Sequence, residues 1–151
     1  MVADTTPIPI QLTEEMRDAI NGALANGTPV VVAYVDERGQ PRLSFRGSTQ
    51  VHGDDQLAIW VRNPEGGLLR ALAANPRITL LYRNPQPRTI LTFEGRGHID
   101  AHDATRTAVY ERSPEAERNL DPDRKGLALI VDLDRVTGIT PSGRVLMQRP
   151  A

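Results

Sequence analysis

The chain has no cysteine, which excludes disulfides, thiolate metal sites and cysteine nucleophiles. Histidine is scarce: His52, His98 and His102 are the three present, and their spacing matches no ligand pattern such as HExxH. No metal site is expected. No apolar run approaches the roughly 20 residues that span a bilayer. Met1 to Thr6 carries no basic stretch and no long apolar core follows, so no signal peptide is read. A soluble cytoplasmic protein without a membrane partner is expected. Net charge is also lacking: a balance of −1 offers no electrostatic reason for a nucleic-acid partner. There is no GxGxxG, no internal repeat and no low-complexity tract, which disfavours a Rossmann domain or an array.

What remains, 151 residues with 39% hydrophobic and 25% charged side chains, suits a single globular domain. Thr13 reads as a helix N-cap, followed by Glu14 and Glu15 in the first turn and an apolar stripe at Met16, Ile20 and Leu24 that Asn26-Gly27 ends. Pro29 to Asp36 is a β-branched run, expected as a strand buried on both sides or nearly so. Pro41 to His52 alternates: Arg42, Ser44, Arg46, Ser48, Gln50 and His52 face one way, Leu43, Phe45, Gly47, Thr49 and Val51 the other. It is expected as one strand, with Gln56 to Arg62 as its antiparallel partner. Asn63 and Pro64 open a short helix carrying Leu68, Leu69 and Leu72, and Asn75-Pro76 closes it. Strands are expected at Arg77 to Tyr82, Thr89 to Ile99, Gly126 to Ile139 and Arg144 to Gln148. The glycines of the second of these suggest a bulge or bend. A helix begins at Asp103, and Ser113-Pro114 starts a second turn or short helix. The expected fold is mainly β: a six- to seven-stranded antiparallel split barrel with peripheral helices.

Two stretches carry residues suited to a ligand. Arg46, Gly47, Ser48 and Thr49 combine a cation, a small residue and two hydroxyls. A flat, polar-edged ring needs close backbone approach and hydrogen-bond donors, although a solvated strand face would have the same composition. Trp60, Val61 and Arg62 end a strand, and Gly66, Gly67, Leu68 and Arg70 start the next helix. Free N–H groups at a helix start, with nearby guanidinium groups, can bind a phosphate, although many helices begin this way and bind nothing. Joined by a tight turn, the two stretches become neighbours, and one mononucleotide such as FMN could span both.

The order from Gly39 to Gly97 resembles the FMN-binding core of the pyridoxamine 5′-phosphate oxidase-like split barrels. Asn75-Pro76-Arg77, Leu80-Leu81-Tyr82 and Phe93-Glu94-Gly95-Arg96-Gly97 carry the likeness, with the Leu129 to Gly138 strand matching more loosely. The resemblance implies FMN as cofactor, a homodimer with the cofactor at its interface, a small-molecule redox substrate and flavin-dependent oxidoreductase chemistry. It implies that Arg46 to Thr49 lie along the flavin ring and ribityl chain, and that Gly66, Gly67 and Leu68 form the phosphate-binding helix start. The chain departs from the oxidase itself at three places. Gly67-Leu68 replaces a basic pair, Ile90 replaces a polar ring contact, and residues 138–151 hold no arginine- and histidine-containing substrate motif. The expectation is therefore a related flavoprotein with a phosphate site rebuilt around Arg62 and Arg70. Use of the deazaflavin F420, or a non-catalytic flavin- or haem-binding module, are the alternatives. No catalytic residue is assigned.

Overall fold

A computed structural model describes residues 6–151. Thr13 caps α1 (Glu14–Asn21), its Oγ1 accepting the Met16 N–H at 3.2 Å, and Met16 and Ile20 are buried. The helix ends at Gly22, earlier than expected. Residues 22–28 continue as turns held by Asn26 N–H to Gly22 C=O and Thr28 N–H to Ala23 C=O.

The strands are β1 (Val31–Val35), β2 (Pro41–Phe45), β3 (Gln50–Gly53), β4 (Gln56–Val61), β5 (Arg77–Pro85), β6 (Arg88–Asp100), β7 (Leu127–Thr140) and β8 (Gly143–Gln148). Three helices complete the fold: α2 (Gly67–Ala74), α3 (Asp103–Arg112) and α4 (Glu115–Arg118). The fold is mainly β, as expected, with eight strands rather than six or seven. The additional strand arises because Pro41 to His52 is broken. Phe45 ends β2 and Gln50 begins β3, with a turn between them. That turn is held at Arg46, whose carbonyl accepts both the Thr49 N–H at 3.1 Å and the Thr49 hydroxyl at 2.7 Å.

The break defines the architecture. The strand order is β2-β1-β5-β6-β7-β4-β3, with β8 added to β7. β2 and β3 therefore lie at opposite ends of the main path yet are joined by four residues. A sheet whose end strands are tied so closely must curl on itself, and it closes through that turn rather than through a ladder of strand hydrogen bonds. The result is a split barrel. Curling also needs a tight point in the longest hairpin. The β6–β7 register shifts between Glu94 and Gly95, the bulge that the glycines suggested. A Cβ on Gly95 would lie 2.3 Å from the Asp132 carbonyl oxygen, so no larger residue fits there.

The barrel interior is filled by Leu57, Ile59, Leu80, Tyr82, Leu91, Phe93, Leu129, Val131 and Leu133, closed at one end by Met16 and Ile20. A second, smaller cluster lies on the other face of β4 and β7, where Ala58, Trp60, Ala128 and Ile130 pack under Val109 and Tyr110 of α3. Both faces of β4 and of the first part of β7 are thus covered, which their near-continuous apolar runs reflect. β1 differs from the expectation of burial on both sides. Val30 and Val32 point inward, but Val31, Ala33 and Val35 are half-exposed. On the outer face, Glu94, Arg96 and His98 of β6 pair with Arg135, Asp134 and Asp132 of β7 at 3.8, 3.0 and 3.1 Å. No helix among the described residues is long and apolar enough to cross a membrane.

Candidate functional site

The closing turn, the end of β4 and the start of α2 meet in one cleft of about 430 Å³. Its walls include Arg46, Gly47 and Ser48 of the turn, Trp60 and Val61 of β4 with Arg62 just after it, Gly67 and Leu68 of α2 with Gly66 just before it, and Phe45 and Glu117. Nine of the eleven residues singled out from the sequence are thereby brought together. Thr49 and Arg70 are not among the walls. Thr49 is buried and spends its hydroxyl on the Arg46 carbonyl. Arg70 donates to the Glu65 carbonyl and lies 3.6 Å from Glu37, lining a separate depression beside Tyr34 and Arg42.

Each wall has a local cause. Ser48, 2% exposed, ties the turn to β4 by donating to the Trp60 carbonyl and accepting the Trp60 N–H, both at 3.0 Å. Its side chain therefore has a structural role. The α2 end differs from its expected form. Asn63 does not cap the helix; its Oδ1 accepts the Glu65 N–H at 3.0 Å in a preceding turn. Gly66 is the N-cap, and no side chain caps the helix. First-turn N–H groups are thus left for water or a ligand, beside the cleft's glycines.

Arg46 is half-buried, with its Nε donating to Ser44 Oγ at 3.1 Å. No carboxylate among the described residues lies within 4.0 Å of its guanidinium. Burial pulls its pKa below the usual arginine value, and the nearby Arg62 acts the same way, while Tyr34 and Glu117 oppose them. Arginine stays charged regardless. The cleft thus contains a partly desolvated cation with unused donors and a second, exposed cation at Arg62.

Sequence reasoning missed two contributors, both from the polar 113–125 segment. Glu117 of α4 reaches into the cleft: a Cβ on Gly47 would lie 2.2 Å from Glu117 Oε1. The gap that glycine leaves in the turn is therefore filled by a carboxylate. Asp121 is buried and locks the far wall. Its Oδ2 accepts the Trp60 indole N–H and the Gly126 N–H, both at 2.9 Å, and its Oδ1 accepts the Lys125 N–H at 3.0 Å. Burial alone would push its pKa up, but these donors outweigh it and hold the carboxyl below the ordinary aspartate value. Tyr110 packs edge-on against Trp60 at 5.1 Å and donates to the Asp121 carbonyl, while Arg106 covers the indole at 5.5 Å. An acidic residue inside an Asn-Leu-Asp-Pro-Asp loop has no periodicity to reveal it. The sole available signal was the lone tryptophan, whose buried N–H needs an acceptor.

The cleft opens beside an apolar surface. Leu43 is 73% exposed, Phe45 68% and Leu81 42%. The β2-β1-β5 register places Phe45 beside Val31 and Leu81, and Leu43 beside Ala33. Phe45 belongs to both surfaces.

No protein-family model matches the sequence, and no curated protein is significantly similar to it. Solved structures do match in fold. HupZ of Group A Streptococcus superposes with a TM-score of 0.67 at 20% identity, over 88% of this chain and 98% of that one. A Clostridium acetobutylicum protein related to general stress protein 26, of the pyridoxinephosphate oxidase family, gives 0.61 at 15% identity, over 90% and 96%. An FMN-binding protein of Syntrophomonas wolfei gives 0.65 at 12% identity, over 85% and 86%. At these identities the superpositions show the fold alone, and it is the one the strand order and the closing turn give: this chain shares a split β-barrel with those proteins.

Proposed function

We propose that the chain is an FMN-binding flavoprotein that acts as a homodimeric oxidoreductase, with a substrate other than a pyridoxine phosphate. The observation that carries this is the joining of a half-buried Arg46 that forms no direct ion pair among the described residues and an uncapped α2 start in one cleft, with Arg62 beside them. Those groups fit a phosphate monoester: guanidinium donors supply charge and fork geometry, and free N–H groups supply directed bonds. The volume is in the range of small-molecule sites, about 300–1,000 Å³. Arg62 and the N–H groups of the α2 start would hold the phosphate. Arg46 would donate to carbonyl or hydroxyl oxygens further along the ligand. Trp60, clamped by Asp121, keeps that wall in place. When bound, FMN supplies hydride or electron transfer, and the chain contributes position and electrostatics. The phosphate role expected for Arg70 is not retained, because its guanidinium is engaged outside the cleft.

The dimer is supported by the apolar outer face. Leu43, Phe45 and Leu81 form a contiguous exposed patch of the kind that marks interfaces, and Phe45 connects it to the cleft rim. A second copy seated there would bury the patch and wall the open side of the cleft.

The test is an FMN titration followed by the visible spectrum and by emission of Trp60. A bound flavin absorbs tryptophan emission by energy transfer, so binding should quench it. Tight F420 binding with weak FMN binding would move the assignment to a deazaflavin protein. Bound FMN that neither nicotinamide nor quinone can reduce or oxidise would remove the enzymatic part.

A further inference from the structure

We propose that Glu117 is a resident anion that sets the ligand specificity of the cleft, reserving the Gly47 end for an uncharged part of the ligand and confining phosphate to the Arg62 and α2 end. This rests on the reading of the cleft as a phosphate-ligand site.

The geometry is specific. Glu117 belongs to the one-turn helix α4, and its carboxylate is seated where a side chain at position 47 would begin, with Leu24 Cδ2 beside it at 3.2 Å from that same point. It is half-buried and lines the cleft with both arginines. No side-chain hydrogen bond or ion pair is formed by it at direct range among the described residues. Its charge is nonetheless felt by Arg46. A carboxylate in this position has two consequences. It repels a second anion approaching Gly47, in a partly desolvated space where like charges interact more strongly than in water. It also offers lone pairs to a neutral donor, an imide N–H or a hydroxyl. A ligand with a phosphate at one end and neutral donors at the other is admitted in one orientation only. Gly47 is part of the device, because any side chain there would displace the carboxylate.

The test uses inorganic phosphate as probe, titrated into the full chain and followed through Trp60 emission and the backbone amide shifts of Gly47, Gly66 and Gly67. Glu117→Gln preserves shape and removes charge, and should tighten phosphate about tenfold. Gly47→Ala pushes the flexible end of Glu117 aside and should give a similar gain. Combined, the two substitutions should bind no tighter than either alone, since each removes the same seated charge. Glu115→Gln, on the same helix but exposed, carries the same change in net charge and should alter affinity less than twofold. Unchanged phosphate affinity in Glu117→Gln overturns the proposal, and so do gains that multiply in the double variant. FMN titrated in parallel separates the two readings. Gains for phosphate without any FMN binding reject the flavin and leave the filter standing. FMN binding with phosphate affinity indifferent to Glu117 rejects the filter and leaves the flavin.

Discussion

The two halves of Pro41 to His52 carry one alternating pattern and meet opposite surroundings. In β2 the apolar members Leu43 and Phe45 are largely exposed. In the turn and β3 that follow, Ser48, Thr49, Gln50 and Val51 are all buried, polar and apolar alike. Alternation fixes which side chains share a side of a pleat; it does not say which side becomes core. That is decided by the partners. β2 and β3 are both end strands of the described sheet; β2 pairs with β1, and its apolar side faces outward. β3 pairs with β4, whose two faces are covered by the barrel core and by α3. Four residues join these two environments, and the candidate cleft lies where they do.

The sharpest way to break this comparison is to place the same charge in each half. Val51→Asp buries a carboxylate without a partner and should cost about 3 kcal/mol or more of unfolding free energy, read by urea denaturation. Next comes the joint itself. Arg46→Ala removes the half-buried cation and should weaken FMN about ten- to a hundredfold while leaving the fold intact, measured by Trp60 quenching. Ser48→Ala leaves the Trp60 N–H and C=O without their side-chain partner and should cost about 1–2 kcal/mol, with a shift in Trp60 emission.

The far wall gives a pH prediction. The folded protein holds Asp121 below the ordinary aspartate value of 3.8, so it favours the charged form. That stabilisation is complete above the unfolded value and is lost as pH falls through the folded one. The stability difference between wild type and Asp121→Asn should therefore shrink as pH falls below about 4; a difference independent of pH contradicts the clamp. The smallest effect is the counterpart of the first. Leu43→Asp changes an exposed position and should shift the stability of the folded chain by no more than about 0.5 kcal/mol. It should nevertheless convert a dimer to a monomer in sedimentation. A wild-type chain that is already monomeric removes the interface.

Much of the fold was legible because its signals are local. Thr13 caps where Ser/Thr caps are expected, and the Asn75-Pro76 stop matches the end of α2. The Gly95 bulge falls in a strand that the glycines had marked. What was not legible depended on pairing between distant segments. Nothing in Pro41 to His52 interrupts the alternation except Gly47, so the break at Arg46 to Thr49 was hidden in a continuous pattern. Asn63 looked like a cap because asparagine is favoured both in caps and in the turn it actually forms. The cleft residues of β4 and α2 were found because strand-turn-helix order brings them together. Glu117 and Asp121 were not, since both arrive from a polar segment more than 50 residues downstream of Trp60, and only packing shows what they touch. Arg70 lies outside the cleft for a related reason: its chain position favours the cleft, but its guanidinium meets the Glu65 carbonyl and Glu37 instead.

The central claim is that the cleft at the closing turn holds FMN. Its most direct test is titration of the purified chain with FMN while the emission of Trp60, the sole tryptophan and a cleft residue, is recorded beside the visible spectrum. Saturable quenching at one FMN per chain is expected, with a protein-bound flavin band, both weakened in Arg46→Ala. Trp60 emission that stays constant to saturating FMN, in a protein that remains colourless after dialysis, would contradict it.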